Sequence, residues 1–136
     1  MKLIVCLDDQ NGILFNKRRL SMDSSLRKRL LEQVKDGMLW MNAYSAGQFT
    51  EASDAVRIHE DYLEYAGTED FCFLENRDIV PYAERVQQLI VYRWNRLYPS
   101  DTVFPLEDLF SNWNKVSSMD FPGNSHEKLT EEVYLP

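Results

Sequence analysis

Two clusters in this chain carry side chains able to do chemistry, and they differ in kind. The first is a basic run, Lys17-Arg18-Arg19, with Arg27 further on. Guanidinium groups hold carboxylates and phosphates through paired N–H donors. The basic residues therefore form either a cationic lip over a cleft or a solvated loop and helix face. The second cluster is the polar corner Glu75-Asn76-Arg77-Asp78, which follows the apolar run Phe71 to Leu74. It either recognises a polar ligand or caps the next segment through Asp78 or Asn76. Tyr44, Tyr92 and Trp94 line a cleft or fill the core, and His59-Glu60 and His126-Glu127 read as turn residues. Cys6 and Cys72 sit inside apolar runs without CxxC spacing, the pattern of reduced core thiols rather than metal ligands. No Gly-x-Ser-x-Gly elbow, phosphate-binding Gly-Lys-Ser/Thr loop or His-x-His-x-Asp-His cluster occurs.

The elements that position these residues follow from the apolar pattern. Leu3 to Leu7 lacks alternation and reads as a strand buried on both faces. Asp8-Asp9-Gln10-Asn11-Gly12 is a turn. Asp23 is the expected N-cap of a helix from Ser24 to about Lys35, whose Leu26, Leu30, Leu31 and Val34 share one face. Met38 to Met41 is a second strand, Asn42 to Ser45 opens a short helix, and Ala55 to Ile58 is a third strand. Glu60 to Ala66 reads as a small helix closed by Gly67. Phe71 to Leu74, a short helical segment and Leu89 to Tyr92 then form a strand, crossover and strand. Such a unit places ligands at the carboxyl end of a parallel sheet, so the Glu75 corner is the first place to look. Beyond Tyr92, strands are expected at Asp101 to Phe104, Trp113 to Ser117 and Leu129 to Tyr134, with Pro122-Gly123 in the last connection.

The 136 residues suit one domain, 1–136, with 44% hydrophobic and 27% charged content. The formal charge of -7 is uneven, +3 over residues 1–36 and -10 over the remainder. That acidic majority disfavours nucleic acid as a partner. No run reaches the roughly 18 apolar residues of a membrane span, and the first apolar run is too short for a signal peptide. The expected location is cytoplasmic.

In order along the chain, these motifs resemble the dihydrofolate reductase family. The first run with Asp8-Asp9-Gln10-Asn11-Gly12 resembles that family's first strand and active-site loop. Leu20-Ser21-Met22 stands at its Leu-Pro-Trp, and Met41-Asn42-Ala43-Tyr44-Ser45 at its Met-Gly-Arg-x-Thr. Asp101-Thr102-Val103-Phe104-Pro105 matches its Asp-Thr-x-Phe-Pro, and Trp113 to Tyr134 is similar to its C-terminal hairpin. The resemblance spans almost the whole chain, with a deficit between Ser45 and Ala55. It implies an α/β, three-layer fold: a mostly parallel central sheet, helices on both faces and a C-terminal antiparallel hairpin.

The chemical positions depart from the family. The pteridine-anchoring carboxylate falls on Arg27 or Leu26, and its threonine partner on Tyr92. The Gly-Gly that cradles the cofactor pyrophosphate falls on Glu75-Asn76, whose side chains block a close backbone approach and whose carboxylate repels phosphate. The cofactor-binding arginine falls on Ala43, and only Ser45 keeps its hydroxyl. The resulting expectation is a degenerate scaffold without reductase chemistry or cofactor, serving as a small-ligand, anion-binding or interaction protein. Its candidate ligand residues are Arg19, Arg27, Asn42, Ser45, Glu75, Asn76, Arg77 and Tyr92. The alternative is an NAD(P)H-dependent reductase relative with a rewired pocket and another substrate.

Overall fold

A computed structural model describes residues 1–136. Its centre is β1, Lys2–Leu7, buried from Leu3 onward. On one side β1 runs parallel to β6, Phe71–Phe73, and on the other parallel to β7, Gln88–Arg93. The expected strand–crossover–strand is therefore real, with β1 lying between its two strands. The crossover contains a 3-10 helix, Val80–Arg85, with Pro81 in its first turn. Beyond β6 lie β4, Leu39–Met41, and β5, Val56–Ile58, both parallel. Beyond β7 the direction reverses: β10, Lys128–Leu135, is antiparallel to β7 and to the outermost β9, Asn114–Pro122. The seven-stranded order is β5-β4-β6-β1-β7-β10-β9.

Alternation along β1 divides two cores, because successive side chains leave opposite faces of a strand. Leu3, Val5 and Leu7 pack with Tyr62 and Leu63 of α3, Tyr62–Tyr65, and with Phe110 of α4, Leu106–Phe110. Ile4 and Cys6 pack with Leu26, Leu30 and Val34 of α1, Ser24–Val34. Burial on both faces explains why the strand reads as an unbroken apolar run. The three-layer architecture, the mostly parallel sheet and the C-terminal antiparallel hairpin all match the sequence expectation.

Several local expectations are corrected. The basic run is half of a hairpin: β2, Gly12–Phe15, turns back into β3, Arg18–Arg19. Asn16 and Lys17 both have positive φ, 51° and 64°, the backbone of the tight turns that match strand twist. Asp101 to Phe104 contributes only a two-residue strand, β8, Thr102–Val103. It pairs with β2 in a separate small sheet rather than extending the main one. The short helix α4 between Pro105 and Ser111 was not expected. The helix α3 is shorter than Glu60 to Ala66 and stops where Ala66 turns extended; Gly67 instead donates its N–H to the Asp70 carboxylate.

Candidate functional site

The Glu75 corner lies immediately beyond β6, where the chain leaves the sheet. Glu75 is buried at 6% exposure and meets a guanidinium. Arg19, on β3, donates Nε to Glu75 Oε2 at 3.0 Å and a terminal nitrogen to Oε1 at 3.2 Å. The same guanidinium donates to the Tyr44 carbonyl at 2.9 Å and lies 4.2 Å from the Tyr44 ring centroid. Gln48 adds an amide N–H to Glu75 Oε2 at 3.0 Å, and Tyr44 Oη accepts the Arg19 backbone N–H at 2.8 Å. A buried carboxylate needs this many donors, since an unpaired charge away from water is costly. The corner thus ties β3, α2 (Ala43–Ala46) and β6 together.

Asn42 and Asn76 join the same network. Asn42 caps α2 through its carbonyl oxygen, which accepts the Ser45 N–H at 3.0 Å, and gives its amide to Asn76 Oδ1 at 2.8 Å. Ser45 is fully buried, and its hydroxyl has no hydrogen-bond partner. Arg77 turns outward to Glu60 at 2.7 Å, both side chains exposed. Asp78 accepts the Val80 N–H at 3.0 Å as a local turn contact, while the N-cap position of the 3-10 helix is Ile79, which makes no side-chain cap hydrogen bond.

On the other side of Glu75 a cleft of about 300 Å³ remains open. Ile13 and Leu14 of β2, Leu74, and Phe104 and Pro105 make its apolar wall. Glu75, Asn76, Arg77, Asp78 and Thr102 supply its polar edge.

The remaining expected residues lie elsewhere. Arg27 does not join Arg19: its Nε meets Glu51 at 2.9 Å, with both side chains largely buried. The cationic lip is therefore divided, with Arg19 and Arg27 each neutralised by a different carboxylate and only Lys17 and Arg18 left exposed. Tyr92 is buried in the α1-side core and donates its hydroxyl to Glu131 Oε2 at 2.8 Å. Arg29 meets the same carboxylate at 3.0 Å. Burial foremost, then the Glu131 charge, pushes the Tyr92 hydroxyl pKa far upward. Tyr92 belongs to that network and not to the Glu75 cleft.

A second node, centred on His126, is absent from the expected site. His126 is 4% exposed, and its Nδ1 lies 2.9 Å from Asp23 Oδ2. Asp23 caps α1 as expected, accepting the N–H groups of Ser25 and Leu26. It also accepts the backbone N–H groups of Asn124 and Ser125, each at 2.9 Å. Burial alone would raise its pKa; the His126 hydrogen bond and the N–H donors of Asn124, Leu26 and Ser125 bring it down to about 2. Gly123 is required here, because a Cβ would overlap the His126 carbonyl oxygen and approach Asp23 Oδ2 to 2.9 Å. The two residues are 103 apart in sequence, so no local pattern links them. The nearest signal is the Pro122-Gly123 turn immediately before His126.

No protein-family model matches this chain, and no curated protein matches it. A solved structure does: dihydrofolate reductase from Enterococcus faecalis, complexed with NADP(H) and RAB-propyl, is similar with a TM-score of 0.66. The match covers 98% of this chain and 94% of that one, at 15% identity. At that identity the likeness concerns the fold, and the chain has a dihydrofolate reductase-like fold.

Proposed function

We propose that this chain uses its dihydrofolate reductase-like scaffold to bind a small organic anion in the cleft beside Glu75, without a dinucleotide. The observation that carries this reading is the Arg19–Glu75 pair. It occupies the corner after β6 with side chains and leaves the 300 Å³ cleft on the other side. Where the family resemblance implies bare backbone against a pyrophosphate, Glu75 presents a buried carboxylate and Asn76 a side chain whose carbonyl oxygen accepts from Asn42. The Glu75 carboxylate repels a phosphate placed against that corner.

The cleft suits a ligand of one or two rings, at the lower end of small-molecule sites. Ile13, Leu14, Leu74 and Phe104 would cover its apolar body. Arg77 supplies the one cation on the rim, and its exposed pairing with Glu60 is weak enough to exchange for a ligand carboxylate. Arg19 is committed to Glu75 and Arg27 to Glu51, so neither is available as an anion receptor.

A thermal-shift series with NADPH, folates and aromatic carboxylates tests this. An aromatic carboxylate is expected to stabilise the protein saturably, by about 2.7 kcal/mol at a hundredfold excess over Kd. Arg77→Ala should remove that effect. Saturable stabilisation by NADPH would overturn the reading, as would indifference of the aromatic carboxylates to Arg77→Ala.

A further inference from the structure

The His126 node holds a third residue beyond the pair already described. Ser21 lies in the segment between β3 and α1, partly exposed, with Oγ 3.1 Å from His126 Nε2. On the opposite ring nitrogen, Nδ1 is 2.9 Å from Asp23 Oδ2. The Asp23 carboxylate can only accept, so Nδ1 carries a hydrogen, and in the neutral ring Nε2 presents its lone pair to the serine hydroxyl. A hydroxyl, an imidazole and a carboxylate connected in this sense make a nucleophile, a base and an orienting group. We propose that Ser21, His126 and Asp23 form an acyl-transfer relay acting on small carboxylic esters, at a site separate from the Glu75 cleft.

Four further features bear on the arrangement. The imidazole is held in place: Trp94 stacks on it with centroids 4.8 Å apart and an interplanar angle of 25°. Asp23 is locked by backbone N–H donors from both α1 and the β9–β10 turn, which fixes the side of the ring it faces. The backbone N–H groups of Ser21 and Met22 donate to nothing inside the protein, leaving donors beside the nucleophile for a developing oxyanion. A depression of about 380 Å³ reaches Leu20, next to Ser21; Phe15, Leu20 and Pro99 form its apolar part, and Asn16, Arg18, Arg19 and Tyr98 its polar part.

The reaction balances with water as the only co-reactant. Ser21 Oγ adds to the ester carbonyl carbon while its proton passes to His126 Nε2. The tetrahedral oxyanion collapses, the carbon–oxygen bond to the alcohol breaks, and the leaving oxygen takes the proton from Nε2. Water then gives a proton to Nε2, adds to the acyl-serine and releases the carboxylic acid, restoring the Ser21 hydroxyl. No oxidation occurs.

One contact opposes the relay. The Tyr98 hydroxyl is 2.9 Å from the same Nε2, and a single lone pair cannot serve two hydroxyls at once. Tyr98 therefore acts as a brake on Ser21, and its removal is a sharper probe than removal of the base. A node that only held the turn to α1 would not respond in this way.

The test uses the full chain with an alkyl fluorophosphonate and with p-nitrophenyl butyrate, locating the adduct by peptide mass. The expected result is one adduct on Ser21, lost in Ser21→Ala, and formed at least about 10²-fold more slowly in His126→Gln. Tyr98→Phe should label several-fold faster and release nitrophenol faster in the first turnover. Absence of a Ser21 adduct in cooperatively melting protein would overturn the proposal. So would undiminished labelling in a folded His126→Gln protein. Should His126→Gln fail to fold, Tyr98→Phe decides: an unchanged labelling rate there overturns the relay.

Discussion

The Glu75 corner and the Asp23 node solve the same physical problem with different chemistry. Each buries a carboxylate near the end of the sheet and surrounds it with donors. Glu75 receives a guanidinium, which stays charged at any ordinary pH, and two side chains, Arg19 and Gln48, carry its hydrogen bonds. Asp23 receives an imidazole together with backbone N–H groups of Ser25, Leu26, Asn124 and Ser125. The first arrangement is a permanent strut. The second couples a helix start to a distant turn through a group that can change its protonation. A buried charge thus leaves room for chemistry only where its partner can give up or take a proton.

The largest test of this contrast is Arg19→Ala, which strands Glu75 without its counter-charge. We expect a loss of about 3–5 kcal/mol in urea unfolding. The double variant Arg19→Met, Glu75→Leu should recover most of it, and a double loss equal to the sum of the two single losses would show that the strut is not a mutual pair. Next comes Asp23→Ala, which removes the α1 cap and the acceptor for the turn, for a loss of about 2 kcal/mol. Acid adds a sign to that prediction. The Asp23 carboxyl moves from an ordinary value of 3.8 down to about 2 in the folded protein. Its contribution is therefore complete above pH 4 and disappears as pH falls through 2, on the order of 2 kcal/mol. Asp23→Asn keeps acceptor geometry at the cap and should flatten that limb of the stability profile. A limb as steep as in the parent protein would assign it to other carboxylates, such as Glu131 and Glu132, whose pKa values are also lowered. The smallest effect is expected from Glu60→Gln at the exposed Arg77 pair, within about 0.5 kcal/mol.

The same contrast explains what was legible in the sequence. The apolar runs around Leu3, Leu39, Phe71 and Leu89 announced a parallel sheet, because burial on both faces suppresses alternation. Asp23 as a cap and Asn42 to Ser45 as a helix start were readable, since capping is a contact between near neighbours. Glu75 was locatable from the break after Leu74. Its partner was not: Arg19 is 56 residues away, and the basic run resembles any solvated loop until its hairpin is seen. Arg27 and Tyr92 were assigned by position in a family pattern, but each met a carboxylate remote in sequence instead, Glu51 or Glu131, 24 and 39 residues away. His126 looked like a turn residue because the Pro-Gly signal beside it describes backbone shape and says nothing of what the ring touches.

The central place of β1 also constrains how the chain is made. Its neighbours in the sheet begin at Phe71 and Gln88 in the register with Lys2. During synthesis Leu3, Ile4 and Val5 must therefore wait, unpaired and apolar, until much of the chain has followed. Pairing so remote is slow to form and leaves a sticky strand exposed meanwhile. The strand that looks most secure in the finished protein is the one most in need of shelter while it is being built.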